Sequence, residues 1–328
     1  MGRCPGHAAG VGMSVRRPIR IGTRRSPLAL AQSGAVASAI GHSVLVPFVT
    51  DGDRRSASGD VAPGSREDFV RGLDQALLEG AVDLCVHSAK DLPTEIPRGL
   101  CLAAYPQRQD PRDAMAGGSF RRLEDLPQGA VLGSGSPRRV AQLLALRPDV
   151  SFVGIRGNVD TRLGRVVAGE FAACVLAVAG LVRLGRTRDL RQVFSVEEVV
   201  PAAGQGALVV MARSDDAAML EEAAQLNDPG TAFAVTAERA VVAELGGGCA
   251  MAAGAYAERT AGVWNLLGAL AVDAGHARVR ITAGSLGAAG ECRDPLGPSV
   301  LSPAAQGAAA MLGVRCAAAL RAGTGAAD

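Results

Sequence analysis

From Ile19 onward, short apolar runs alternate with polar turns and with longer stretches of helical period. Residues 19–22, 44–49 and 84–86 read as buried strands, too short and too continuously apolar for surface helices. Ser26-Pro27 opens a helix between the first two, a capping hydroxyl followed by a proline at the first turn. Over residues 69–78, Phe69, Leu73, Ala76 and Leu77 share one helical face. Such alternation predicts an α/β domain built on a largely parallel sheet. Residues 51–66 are polar, contain Gly and Ser, and read as a mobile loop.

A second unit follows the breaker-rich residues 106–112, with strands expected at 131–133, 152–155 and 174–178 and helices at 138–146 and 159–167. Residues 206–212 are strongly apolar and are expected to stray back into the first sheet. Beyond Pro229 the register changes. A helix over 231–245 ends at Gly246-Gly247-Gly248, a multi-glycine stop. Strand-like pieces at 264–272 and 277–283 and an Ala-rich helix over 304–321 complete the chain. The expected organisation is a disordered tail at 1–17, with Met13 a candidate start, and a first α/β domain at 18–106 that takes back 206–226. A second α/β domain at 107–205 and a smaller α+β domain at 227–328, carrying the loop of Cys249, complete it.

Charge is nearly balanced at +2 and aromatics make up only 3%, which argues against a general nucleic-acid binder and against base-stacking platforms. Any anion recognition must then come from locally clustered arginines. The seven cysteines are odd in number and lack CxxC spacing, which suggests a reducing compartment with no disulfide framework and no metal site. The apolar stretch 171–182 is too short to span a bilayer, and residues 1–17 hold no hydrophobic signal region. The expectation is a soluble cytoplasmic protein, a monomer, bound to neither membrane nor nucleic acid.

Lys90 is the only lysine among 34 basic side chains, and it adjoins Asp91 at the end of the third apolar run. An ammonium is a compact point charge where a guanidinium is a planar fork. Its solitude fits either a site that needs a point charge or an arginine-heavy composition.

Three strand-to-helix junctions share one makeup: Gly22-Thr23-Arg24-Arg25-Ser26-Pro27, Gly133-Ser134-Gly135-Ser136-Pro137-Arg138-Arg139, and Arg156-Gly157-Asn158-Val159-Asp160-Thr161-Arg162. Each puts hydroxyls or amides, glycines and arginines where a helix start exposes backbone N–H groups, a setting that attracts anions. Three in one chain point to an anionic ligand. No P-loop is present and no G-x-G-x-x-G follows a strand, so a ligand with many carboxylates is favoured over a nucleotide. Cys249 follows the glycine run, and a loop thiol near cations ionises readily to the reactive thiolate.

These segments resemble the porphobilinogen deaminase (hydroxymethylbilane synthase) family. The likeness runs from about Ile19 to Tyr256 and more loosely to the C-terminus. It rests on Ile21-Gly22-Thr23-Arg24, His87-Ser88-Ala89-Lys90-Asp91-Leu92-Pro93, Arg156-Gly157-Asn158-Val159, Leu176-Ala177-Val178-Ala179-Gly180-Leu181, Pro201-Ala202-Ala203-Gly204-Gln205-Gly206-Ala207 and Gly247-Gly248-Cys249. The resemblance implies two periplasmic-binding-protein-like α/β domains plus a smaller α+β domain. It implies a transferase of tetrapyrrole biosynthesis, with a dipyrromethane cofactor joined by a thioether to Cys249. Four porphobilinogen units are added head to tail, each losing ammonia, and hydrolysis releases the linear tetrapyrrole.

The aspartate that is catalytic in the family matches Asp91, which contacts pyrrole N–H groups. The resemblance assigns Lys90, Asp91, Ser136, Arg138, Arg139, Arg162, Arg183 and Cys249 to the cofactor. It assigns Arg24, Ser26, Arg66, Phe69, Arg156, Arg162 and Gln205 to the substrate. The chemistry is coherent: acetate and propionate arms make a growing polyanion, and loss of ammonia leaves a cationic electrophile that a carboxylate stabilises while moving protons. The chain departs from the family pattern in Gly64-Ser65-Arg66-Glu67-Asp68-Phe69, in Pro137, and in Ala250-Met251-Ala252-Ala253, which lacks a usual proline. The competing readings are a non-catalytic two-lobed anion receptor, which needs neither Cys249 nor Asp91, and a cysteine acyl-transferase. The latter lacks a nucleophile elbow, and His87 reads instead as a packing or hydrogen-bonding residue.

Overall fold

The computed structural model describes residues 17–49, 70–246, 251–272, 275–282 and 301–324. The tail expected at 1–17 (save Arg17), the loop 51–66 with Arg66, and Phe69 and Cys249 lie outside these.

Strand β1 (Ile19–Arg24) leads through α1 (Pro27–Ile40) to β2 (Ser43–Phe48), and α2 (Arg71–Leu78) precedes β3 (Leu84–Ser88) and β4 (Leu100–Ala104). The second unit runs β5 (Asp113–Ala116), β6 (Val131–Gly133), α3 (Pro137–Leu146), β7 (Ser151–Val153), α4 (Val159–Val167), β8 (Ala173–Ala177), α5 (Val178–Arg183) and β9 (Leu190–Val193). The chain then returns as β10 (Leu208–Arg213) and α6 (Ala217–Ala224). The last unit is α7 (Pro229–Glu244), β11 (Ala252–Thr260), β12 (Val263–Val272), β13 (Gly275–Thr282) and α8 (Pro303–Thr324).

Two five-stranded sheets follow one plan, β2-β1-β3-β10-β4 and β7-β6-β8-β5-β9. In each, four strands run one way and the inserted strand, β10 or β5, runs antiparallel to both its neighbours. The inserted strand comes from the far side of the other sheet, so the chain crosses between lobes twice, at 105–112 and at 194–207. The return of the 206–212 segment to the first sheet is as the sequence predicts: Val209 pairs with His87 and Met211 with Cys85.

Strand alternation divides the first lobe's core. Leu84 and Val86 join Ile21, Val36 and Val210 on one side, while Cys85 joins Leu73, Leu77 and Met211 on the other. That second cluster continues into Val235, Val241, Leu266 and Leu312, which seats the antiparallel β11-β12-β13 unit on the first lobe. Phe233 stacks on Trp264 with ring centroids 4.3 Å apart. Small residues let α8 approach closely: a Cβ on Gly313 would lie 2.5 Å from that of Ala240.

The boundaries differ from the expectation where an apolar run hides them. The strand expected at 174–178 ends at Ala177, and Val178 begins α5, because Cys174 to Leu181 is apolar throughout save Gly180 and carries no period that marks the change. The strand expected at 152–155 is Ser151–Val153; Gly154 ends it, and Ile155 is buried beyond it. Strands β4, β5, β9 and β11 and helices α5 and α6 are elements the pattern did not predict.

Candidate active site

The site forms round the short 3-10 turn Ala89–Asp91 that follows β3. This turn rests on the second crossing. Ala89 N donates to Ala207 O at 3.1 Å, and Gly204 at φ +73° passes so close that a Cβ there would lie 2.8 Å from the Ala89 Cβ. Glycine is the residue that permits both the conformation and the approach. Lys90 Nζ donates to Gln205 Oε1 at 3.3 Å. Burial pushes the Lys90 amine down to about 8; Asp91 opposes that shift, Arg139 adds to it, Asp113 opposes it and Arg138 adds to it.

Gln205 Nε2 donates in turn to Pro111 O at 2.6 Å and to Asp113 Oδ1 at 2.9 Å. Asp113 opens β5 and is wholly buried. Its Oδ1 accepts from Arg139 Nε at 2.9 Å and Nη2 at 2.6 Å, and its Oδ2 lies 2.7 Å from Arg138 Nη2. Burial works to raise this carboxyl, but Arg138 and Arg139 beside it hold it below the usual carboxylate range. The two guanidiniums are fixed at their other ends by carbonyls, Arg138 Nη1 on Val200 O at 2.6 Å and Arg139 Nη1 on Val175 O at 2.9 Å.

Two further predicted cations join the group. Arg162 on α4 donates Nε to Gly157 O at 2.8 Å; burial, then the Arg139 charge, lower its pKa, with Asp91 acting the other way. Arg183, at the end of α5, donates Nη2 to Gly206 O at 2.7 Å and is pushed down to about 10 by burial. The structure thus brings Lys90, Asp91, Gln205, Arg138, Arg139, Arg162 and Arg183 to the region where the two crossings meet. Arg24 ends β1 and is half-buried; Arg156, exposed, precedes α4.

The hydroxyls and amide at the three helix starts cap their own helices. Ser26 accepts from Ala29 N at 3.3 Å, Ser136 from Arg139 N at 3.5 Å and Asn158 from Thr161 N at 2.8 Å. The expectation that these ends expose free N–H groups is corrected to that extent: at each start one donor is taken up by the cap. Arg138 and Arg139, expected at a ligand-facing helix end, are buried against Asp113 because a guanidinium enters a protein interior only with a counter-ion. Pro137 sits at the first helical position, where its missing N–H costs nothing.

His87, expected to pack, is buried with Nε2 3.8 Å from Asp74 Oδ1. Burial lowers the imidazole to about 4 and raises the Asp74 carboxyl to about 6. Sequence reasoning missed Asp113, Arg108 and Glu238. The only signal was their setting: Arg108 and Asp113 fall in or just after the breaker-rich 106–112, and Glu238 is an acid within an apolar helix.

A third domain tie lies behind the crossings. Glu238, wholly buried on α7, accepts from Arg108 Nη1 at 2.6 Å and Nη2 at 3.0 Å, from Gly204 N at 2.7 Å and from Ala257 N at 2.8 Å. One carboxylate so joins the first crossing, the second crossing and β11. Cys249 lies three residues before β11.

Five cations gathered with two carboxylates make a hard, electropositive donor set, which suits a ligand carrying several carboxylates. Residues 19–221 match the family model "Porphobilinogen deaminase, dipyromethane cofactor binding domain", and 232–301 match "Porphobilinogen deaminase, C-terminal domain". The chain is 44% identical over 315 residues to porphobilinogen deaminase 1 of Streptomyces coelicolor, covering 91% of this chain and 98% of that one. It is 48% identical over 246 residues to porphobilinogen deaminase of Thermobifida fusca, covering 74% and 77%. A crystal structure of a putative methionine-binding lipoprotein from Bacillus subtilis superposes with a TM-score of 0.39 at 14% identity, over 64% of this chain and 90% of that one. No helix among the described residues is long and apolar enough to cross a membrane. The matches to the two family models and the identity along nearly the full length of the Streptomyces protein place the chain in the porphobilinogen deaminase family.

Proposed function

We propose that the protein joins four porphobilinogen units head to tail with loss of ammonia, and that the cationic group round the Ala89–Asp91 turn holds their carboxylates. The gathering of Lys90, Arg138, Arg139, Arg162 and Arg183 beside Asp91 carries this reading. A dipyrromethane cofactor, when bound through the Cys249 sulfur, supplies the primer on which units are assembled. Lys90, Arg138, Arg139 and Arg162 would hold its acid side chains, with Ser136 adding a hydroxyl. Arg24, Ser26 and Arg156, with Arg66 and Phe69, would meet the incoming unit.

Asp91 serves as the reacting carboxylate. Its negative charge stabilises the cation left when ammonia departs, its oxygens accept hydrogen bonds from the pyrrole N–H groups, and it takes up the proton lost from the ring carbon at which the new bond forms. It lies in the turn that follows β3, two residues beyond the Ala89 that packs against Gly204 of the second crossing. A non-catalytic receptor would have no use for this placement, and the relatives named above are deaminases. The thiols of Cys85, Cys101, Cys174 and Cys316, among the described residues, are free, which suits a reducing cytoplasm.

Asp91→Asn keeps the shape and removes the charge. It should fold, retain the thioether-linked primer and bind porphobilinogen, yet lose at least about 100-fold in turnover. Turnover within a few-fold of the parent would remove Asp91 from the mechanism.

A further inference from the structure

The buried carboxylate of Asp113 belongs to no sequence-predicted set, yet Arg138, Arg139 and, through Gln205, Lys90 are arranged about it. We propose that Asp113 is the positioning residue of the anion cleft, aiming Arg138 and Arg139 and, through the Gln205 amide, setting the place of Lys90 across the two lobes.

Lys90 Nζ donates to Gln205 Oε1 at 3.3 Å, Gln205 Nε2 donates to Asp113 Oδ1 at 2.9 Å, Arg139 Nη2 donates to the same oxygen at 2.6 Å, and Arg138 Nη2 is ion-paired with Asp113 Oδ2 at 2.7 Å. These contacts span the first lobe's turn, the second crossing, the head of β5 and the start of α3. Gln205 suits the link because its amide is acceptor at one end and donor at the other. A carboxylate there would face Asp113, and an amine would face Lys90.

Charge counting explains the need. Two guanidiniums and an ammonium share this interior, and Arg139 and Arg138 each disfavour the charged form of Lys90. A single carboxylate offsets one of the two guanidinium charges and leaves the other to attract a ligand anion. Arg139 spends Nε, Nη2 and one Nη1 proton on Asp113 and Val175, so two of a guanidinium's five N–H groups have no partner among the described residues. Those two are held in a fixed plane by the bonds that the others make, which is how a positioning residue acts through its neighbour.

The lone lysine supplies the test. Lysine labelled with carbon-13 and nitrogen-15 gives a single side-chain signal in this chain, so the titration of Lys90 is read without substrate or turnover. The parent protein should titrate near 8. Asp113→Asn removes an anion that favours the ammonium and should lower that midpoint. Gln205→Met keeps the bulk, removes the acceptor and should lower it as well. In both, KM for porphobilinogen should rise roughly 10-fold to 100-fold, and intact mass should show a smaller fraction carrying the primer.

A role confined to packing predicts a loss of thermal stability with the Lys90 midpoint and KM unmoved in the folded variant; that result overturns the proposal. Should Asp113→Asn fail to fold, Gln205→Met decides by the same two readouts. The KM arm rests on the reaction proposed above. The lysine titration does not, so a shifted midpoint with no deaminase activity in the parent protein would refute that reaction and leave the relay intact.

Discussion

Glu238→Gln is the substitution whose effect the structure fixes most closely. The carboxylate is wholly buried and accepts four hydrogen bonds, two from Arg108, one from Gly204 N and one from Ala257 N. A carboxamide of the same shape keeps one acceptor oxygen and turns the other into a donor, so an N–H group must face Arg108 or a backbone N–H. The Arg108 side chain is only 11% exposed and would be left as an uncompensated cation. Breaking a buried pair from one side costs about 3–5 kcal/mol. That is a large part of the 5–15 kcal/mol by which folded domains are ordinarily stable. Urea denaturation followed by circular dichroism reads the loss. Arg108→Met should cost a similar amount, and the double variant should cost at least about 1 kcal/mol less than the sum, since the two act through one interaction. Because Glu238 also pins β11, the fraction of protein carrying the primer should fall in parallel. A loss below about 1 kcal/mol for Glu238→Gln, or strict additivity, would refute the claim that this carboxylate ties the crossings to the third domain.

Lys90→Arg keeps the charge but replaces a point donor by a fork, so the bond to Gln205 is re-aimed; kcat/KM should fall at least about 10-fold, and unchanged kinetics would return the solitary lysine to composition. Asp83 is buried under Arg20 and Arg17, and, though burial works to raise it, their hydrogen bonds hold its carboxyl below the ordinary range. A depressed folded-state pKa gives stability that is complete above the unfolded value of about 4 and is lost as pH falls below it. Asp83→Asn should therefore cost about 1–2 kcal/mol at neutral pH, the exposed arginines being screened, and should flatten the acid limb of a stability–pH curve. An acid limb equal to the parent's would count against this pairing.

Legibility in the sequence followed local chemistry. Ser26-Pro27 and Ser136-Pro137 marked their helix starts because cap and first-turn proline are adjacent in the chain. The return of β10 was readable from a run of apolar residues with nowhere else to go. The signature round Lys90 and Asp91 is local in the chain, and it falls on the turn round which the cations gather. Asp113 was not readable, because its partners Arg138, Arg139 and Gln205 lie 25, 26 and 92 residues away and only the crossing of the chain brings them together. The same holds for Arg108 and Glu238, separated by 130 residues. The arginines of α3 were read rightly as clustered cations and wrongly as lying at an open helix end, since nothing local announces the acid that draws them inside.

The central claim, that this chain builds its product on a primer fixed to Cys249, is tested most directly by intact mass. Protein purified after expression in a host that makes porphobilinogen should carry a single adduct equal to two linked pyrrole units. Cys249→Ser should carry none and form no tetrapyrrole. An unmodified mass in protein that nonetheless condenses porphobilinogen, or an adduct that persists in Cys249→Ser, would contradict the account.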